Sequence, residues 1–549
     1  MDMEKIISKI YKATAIMMVF FMVSCGSDFL DINTDPNNPA EASLSLLLPA
    51  SQVAAGFWTA RDVQEHTSVF VQHYYSLTIS TYQVPGSVFS NSFQGFFADA
   101  LKDTQSIIDQ GTEEELLGYV GMAKVMKAYL YMVTVDLWGD VPYVQGLQGE
   151  TILFPEFDDD AAIYDALLAL IDEGKADLQT AIDNNESAVA SDLVYGGDYE
   201  LWIKAANTIK LRMLLNTRLV DESRARSGIE ALIAEDNMIS DNSEDFEFNF
   251  GPNLAPINHH PIYQQDYLPG GKTFYQSNYF MYHLIAKDDP RLPFYIFRQG
   301  SDDDLDFQTT PCSQRTDCVY GWLGGQTPSN GLPALGAAAD GYIGRDHGDP
   351  SGLPGDNAIR ATFGVYPIGG SYDQGAGAGE RRFDQNHGTG AGVIPWVTNY
   401  MRAFMLAEAA ITLNTTGDAK ALMMEGIEAS FDKVEAFGLA NDPNNAEAMS
   451  AAVKAGYAAD RDAEFDAAPS DNLRLNMVIT EKYFASFGNG IEAYTDFRRT
   501  GMPSNLPASL APTGPYPIRL PYPPTELSAN PNAPSPVPLV SEPIFWDVN

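Results

Sequence analysis

The residues best equipped for chemistry in this 549-residue chain gather in Arg345-Asp346-His347-Gly348-Asp349, with Asp356 and Asn357 shortly after and His387 further on. An imidazole beside carboxylates, completed by a second imidazole from a distance, is the raw material of a zinc site. The surroundings argue against one. The stretch is studded with Gly and Pro, and the chain shows no HExxH helix, nucleophile elbow or phosphate loop. Oxygen-rich loops suit calcium better, since that ion takes about six to eight oxygens and accepts the carbonyls that irregular backbone exposes. Asp346, Asp349 and Asp356 are the candidate calcium ligands. Asp302, Asp303, Asp304 and Asp306 form a second acidic cluster, and neither has EF-hand spacing. Calcium is an optional cofactor on this reading; none is required.

Flat rings with a polar tip are a second kind of chemistry. They match ligands that alternate apolar faces with polar edges, as oligosaccharides and peptides both do. Tyr74, Tyr75 and Tyr82 form one such group, where an early helical run gives way to a loop. Tyr320 and Trp322 form another, with the tryptophan set among glycines that give it little local scaffold.

The three cysteines separate into two roles. Lys5, Lys9 and Lys12 precede a short apolar run from Ala13 to Val23, too short to span a bilayer comfortably. The junction Met22-Val23-Ser24-Cys25-Gly26 resembles a bacterial lipobox, whose cysteine becomes lipid-modified. Residues 1–24 therefore read as a lipoprotein signal peptide and 25–42 as a tether, leaving the protein anchored to a membrane rather than crossing it. Cys312 and Cys318 enclose CSQRTDC in a compartment where disulfides persist, and they are near enough to pair in a turn. With 33 basic against 73 acidic residues the net charge is −40, so nucleic-acid phosphates would be repelled.

Such loops need a scaffold, and the periodicity predicts a helical one. Apolar residues recur at Leu116, Tyr119, Ala123, Met126, Leu130, Val133 and Leu137, while Val120, Val125, Tyr129, Tyr131 and Met132 make the other face apolar too. A helix so apolar all round is packed between neighbours. Thr112 with Glu113, Glu114 and Glu115 is its expected N-terminus, and Gly139 and Pro142 its stop. Further helices are expected over 43–72, 91–110, 161–182 and 199–220, then 395–413, 419–437, 446–458 and 472–487. The pair 91–110 and 113–137 approaches the length of a tetratricopeptide repeat. Between them, 236–394 is a loop-rich insertion, helical only near 278–287, and such long loops tend to carry function. The stretch 501–549 is proline-rich and extended.

Four separated stretches resemble one family. AKVMKAYLYMVTVDLWGDVPY (123–143), DYELWIKAANTIKLRMLLN (198–216), EKYFASFGNGIEAYTDFRRTG (481–501) and PIRLPYPPTELSANP (517–531) are similar, in this order, to SusD/RagB-type outer-membrane lipoproteins. The lipobox and the DINTDPNNP lead-in fit the same pattern. The block at 341–373 resembles a branch distinct from the starch-binding founder, so the founder's ligand residues do not transfer by motif.

The resemblance implies a mainly α fold of tetratricopeptide-like helical pairs, an α superhelix spanning 43–549. Its body would be 43–235 and 395–500, with the insertion forming part of the ligand site. It also implies a non-enzymatic lipoprotein on the exterior of the outer membrane. Such a protein binds an oligomeric nutrient, glycan before peptide, and delivers it to a SusC-like, TonB-dependent β-barrel transporter. A lipid-anchored hydrolase acting on glycans is the alternative, because the many carboxylates cannot be paired from sequence. In the apolar stripe of 198–216, Lys204, Lys210 and Arg212 are expected to point away from the core. Arg498 and Arg499, at a helix end after Asp496, are expected in a structural joint.

Overall fold

The computed structural model describes residues 42–76, 82–268, 274–300, 341–349, 360–376, 387–510 and 514–548, together with Met3. Cys25, the Asp302–Asp306 cluster, Cys312, Cys318, Tyr320, Trp322 and Asp356 lie outside the described residues.

The fold is mainly α. Helices α1 (Leu44–Thr59) and α2 (Asp62–Phe70) are followed by α3 (Ser90–Gly95), which runs through a π-helical turn into α4 (Lys102–Glu113). Next come α5 (Leu117–Trp138), α6 (Asp160–Asp183), α7 (Tyr199–Asn216) and α8 (Glu222–Glu235). The insertion contributes the short α9 (Pro261–Asp266), α10 (Asn278–Ala286) and α11 (Leu292–Tyr295). The body resumes with α12 (Asn399–Leu413), α13 (Ala419–Asn441), α14 (Ala451–Ala467), α15 (Asp471–Ala485) and α16 (Gly490–Thr500), and the proline-rich segment holds only α17 (Pro524–Ala529).

Consecutive helices pack as pairs: α4 on α5, α5 on α6, α6 on α7, and α12 on α13. Contacts of α12 with α15 and of α2 with α16 close the chain on itself, so helices before and after the insertion share one core. As its all-round apolarity requires, α5 is buried along nearly its whole length. It lies against α6 through two glycines: a Cβ on Gly121 would come within 2.6 Å of Leu178 and 2.8 Å of the Gly174 carbonyl. Many helix starts use an Asp, Ser, Thr or Asn side chain to accept a first-turn N–H, among them Asp159, Asp198, Asp221, Asp418, Ser470 and Asn489. Part of the chain's acidity is spent on these caps.

Several expectations are corrected. Thr112 does not start α5. It lies inside α4, its hydroxyl bonded to the Ile108 carbonyl, and the chain turns at Glu115 with φ +57° before α5 begins. The expected stop at Gly139 occurs, with φ +80°. Residues 43–72 break into two helices at Ala60-Arg61. Val393–Val397 is a strand, and α12 starts only at Asn399, capped by Thr398. Helix α8 escapes the periodicity because only Ala225, Ile229 and Leu232 mark its buried stripe.

The six short strands among the described residues form three antiparallel pairs. These are β1 (Tyr74–Ser76) with β3 (Phe274–Gln276), β2 (Phe246–Asn249) with β6 (Val393–Val397), and β4 (Ile296–Arg298) with β5 (Ala361–Phe363). They tie the insertion to the helical body.

Three of the four family-like stretches, 123–143, 198–216 and 481–501, meet at a buried ionic joint. Asp136 of α5 accepts from Tyr164 and from Trp546 Nε1 at 2.9 Å, with Arg212 of α7 at 3.5 Å. Arg212 thus turns into the core, contrary to expectation, while Lys204 and Lys210 pair outward with Glu244 and Asp172. Arg212 Nε lies 2.8 Å from Glu492, an ion pair by distance rather than an aligned hydrogen bond. Lys482 pairs with Glu492 at 2.6 Å and Asp496 at 2.9 Å, and Arg499 joins Asp496 at 2.7 Å to Glu408, which Arg218 reaches at 3.0 Å. Each acid in this chain of contacts faces a base, the condition under which buried charges are tolerable.

Candidate functional site

Pairing of β1 with β3 sets Tyr75 opposite Tyr275 and Tyr74 opposite Gln276. Alternation sends the two tyrosines of β1 to opposite sides. Tyr74 packs edge-on against Phe274 and Phe363, with ring centroids 5.3 and 4.9 Å away, and is 1% exposed. Its ring belongs to the core, so as a ligand-facing ring it is corrected. Tyr75 is 4% exposed but sits in different company.

Beside β3, Arg345 forms a parallel bridge with Ser277 and takes main-chain bonds from both flanks, donating to Gln276 O and accepting from Asn278 N at 3.0 Å each. That register carries its guanidinium to 5.6 Å from the Tyr75 ring and 5.1 Å from the Tyr275 ring. Arg360, leading into β5, lies 4.9 Å over Tyr275. The two tyrosine rings meet edge-on, centroids 6.3 Å apart with planes at 76°, and cation–π attraction joins Arg345 and Arg360 to them in one cluster. Arg345 also donates to the Asp349 carbonyl at 3.1 Å, and Arg360 approaches Asp266 at 3.4 Å. Burial pushes the Asp266 carboxyl up to about 6, although Arg360 pulls the other way. Burial likewise raises the Tyr75 hydroxyl above its ordinary value against the pull of Arg345.

Next to this cluster, Tyr82 lies flat on His347, centroids 4.5 Å apart and planes 20° from parallel, and meets Tyr516 edge-on at 5.0 Å. Burial lifts the Tyr82 hydroxyl to about 12 and lowers the His347 imidazole to about 4. The segment before Tyr516 is fastened here too, for Leu510 N donates to His347 O at 2.9 Å and Gln72 Nε2 to Pro507 O at 2.5 Å. The patch therefore draws on three parts of the chain: the β1 region, the insertion and the segment after α16.

Of the residues expected to bind, Tyr75, Tyr82 and Asp349 come together at this patch. Asp346 is buried nearby in sequence. Among the described residues no group of three His, Cys, Asp or Glu side chains could hold a metal ion, so a calcium site at Asp346 and Asp349 would need donors such as Asp356 from beyond them. Sequence reasoning missed Arg345, Arg360, Tyr275 and Tyr516. Arg345 stood inside the acidic loop already singled out; the others carry no local signal, because strand pairing and the returning segment bring them in.

Residues 36–311, just over half the chain, match a SusD-like family described as starch-binding and associating with the outer membrane. Residues 385–536 match the SusD and RagB outer-membrane lipoproteins. No curated protein sequence matches the chain. Among solved structures, a SusD/RagB family protein from Bacteroides thetaiotaomicron superposes with TM-score 0.69 at 20% identity, covering 93% of this chain and 100% of that one. A chitin-binding protein gives 0.68 at 20%, covering 92% and 100%, and a chitin-binding SusD homologue from Flavobacterium johnsoniae gives 0.66 at 18%, covering 92% and 99%. Among the described residues no helix is long and apolar enough to cross a membrane. Matched by family along both halves of its helical body, and alike in fold to its solved members, the chain belongs to the SusD/RagB family of outer-membrane lipoproteins.

Proposed function

We propose that this chain is a non-enzymatic lipoprotein on the cell exterior that binds an oligomeric glycan and delivers it to a SusC-like, TonB-dependent β-barrel. Family membership carries the reading. Two structural neighbours described as chitin-binding favour a glycan over a peptide. The patch supports binding rather than turnover. It offers aromatic rings and guanidinium groups, and among the described residues its imidazole is hydrogen-bonded to no hydroxyl, thiol or carboxylate. Trp322 and Tyr320, from the insertion that also supplies Arg345, are further ligand-contacting rings on this proposal.

The test is calorimetry of the full chain against chitohexaose, maltoheptaose, cellohexaose and a peptide mixture, followed by chromatography for products. Binding of one glycan without cleavage is the expected result. Trp322→Ala should then weaken it about fivefold, ~1 kcal/mol, at unchanged melting temperature. Release of shorter products would make the protein a hydrolase, and binding of peptides alone would move the ligand class. Co-purification of a β-barrel with the tagged lipoprotein checks the partner.

A further inference from the structure

His347 is 3% exposed, and neither Nδ1 nor Nε2 has a hydrogen-bond partner among the described residues. Four other buried histidines each have a partner at one ring nitrogen. His66 Nδ1 engages the Asp62 carbonyl at 2.7 Å, His73 Nε2 the Tyr483 carbonyl at 3.0 Å, His260 Nδ1 accepts from Ile262 N at 3.2 Å, and His283 Nε2 meets Asn505 at 3.4 Å. Two more buried polar atoms in the same neighbourhood lack a partner among the described residues. They are Tyr516 Oη, on the ring that meets Tyr82, and Ser509 Oγ, next to the Leu510 amide that bonds to His347 O.

A buried polar atom left without a partner costs about 1–3 kcal/mol, and native proteins carry few of them. Four such atoms around one stacked His–Tyr pair make a local concentration of unspent hydrogen-bonding capacity. Its composition is informative. Burial keeps the imidazole neutral near pH 7, so it supplies one donor and one acceptor. The tyrosine and serine hydroxyls each supply both. None of these groups brings a formal charge, so the set matches a ligand whose own groups both donate and accept, which is the chemistry of a vicinal diol.

We propose that His347, Ser509 and Tyr516 form a polar subsite that hydrogen-bonds adjacent hydroxyls of a neutral sugar residue. The inference rests on the glycan-binding reading above and names the part of the patch that selects hydroxyls; the rings and guanidinium groups beside it offer flat surfaces. Tyr82 acts as a positioning residue, since its ring fixes the plane of the imidazole. The rival arrangement is bound water, which would satisfy the same atoms permanently.

The two arrangements separate experimentally. His347→Leu and Tyr516→Phe are made in the full chain, with His73→Leu as a control for a histidine that has a main-chain partner. Melting temperature and affinity for the bound member of the glycan panel are measured for each. For a ligand subsite, His347→Leu melts at or above the wild-type temperature, because it removes unsatisfied polar atoms, yet loses at least tenfold in affinity. Tyr516→Phe loses at least threefold, and His73→Leu melts lower. Affinity within twofold of wild type in a folded His347→Leu or Tyr516→Phe protein overturns the subsite while leaving glycan binding in place. Should His347→Leu not fold, Tyr516→Phe, which deletes one oxygen, decides. If no panel member binds the wild type, the glycan reading falls and the subsite falls with it.

Discussion

Buried carboxyls in this protein respond to their surroundings in opposite senses, and acid titration separates them. Burial pushes Glu408 up, but Arg499 and then Arg218 pull it further down, to about 2. A carboxyl depressed by folding stabilises above its unfolded value, about 4.5, and that contribution disappears as pH falls from there toward 2. It amounts to roughly 3 kcal/mol by linkage. Glu408→Gln would strand two buried guanidinium groups and should lower stability at pH 7 by about 3–5 kcal/mol, read from urea unfolding. Glu65 of α2 runs the other way. Burial raises it to about 7 against the bond from Gln265, so the folded state holds a proton that the unfolded chain releases from about pH 4.5. Its contribution therefore worsens as pH climbs from 4.5 to 7 and stays flat above. Glu65→Gln should raise stability by about 1–3 kcal/mol at pH 8 and change little at pH 4.5. A uniform effect across that range would contradict this assignment.

At the scale of elements, the α5–α6 contact shows how closely the helices are set. Gly121 faces Leu178 and the Gly174 carbonyl, and main chain on one side of the contact cannot yield as a flexible side chain would. Gly121→Ala gains helix propensity, worth about 1 kcal/mol, yet forces the pair apart. The net expectation is a loss of about 1–3 kcal/mol, seen as a lower urea midpoint with an unchanged slope. This helix also marks what the sequence reveals readily. Being buried on every side, α5 advertised itself by composition alone, whereas α8 shows a thin stripe and was passed over. The three-residue strands had no local signature either, since pairing with distant partners makes them strands at all. The same limit governed the patch. Tyr74 and Tyr75 are chemically identical neighbours, and only the pleat of β1 decides that Tyr74 enters the core while Tyr75 meets Arg345. Arg212 was misassigned for a related reason: a lone cation on a helix reads as solvated until Asp136 and Glu492 are known to lie opposite.

For the whole molecule, membership of a family of outer-membrane lipoproteins bears on where it works. The Val-Ser-Cys-Gly junction predicts that Cys25→Ala moves the protein from the membrane fraction to the soluble fraction, with intact mass of the wild type showing acyl chains. Recovery of an unacylated wild type in the membrane fraction would require another means of attachment. The net charge of −40 bears on the same setting, because it favours solubility and repels other polyanions.

The ionic joint also imposes a schedule on synthesis. Asp136 is made early, but its hydrogen bond to Trp546 spans 410 positions, and Arg498 reaches the Asp136 carbonyl across 362. At ~5–20 residues per second, a ribosome needs roughly 20–80 s to bring Trp546 to the acid awaiting it. Until then Asp136 has Tyr164 and Arg212 beside it, but the joint lacks the contacts made by Trp546 and Arg498. The interior is thus completed by residues that are among the last to be made.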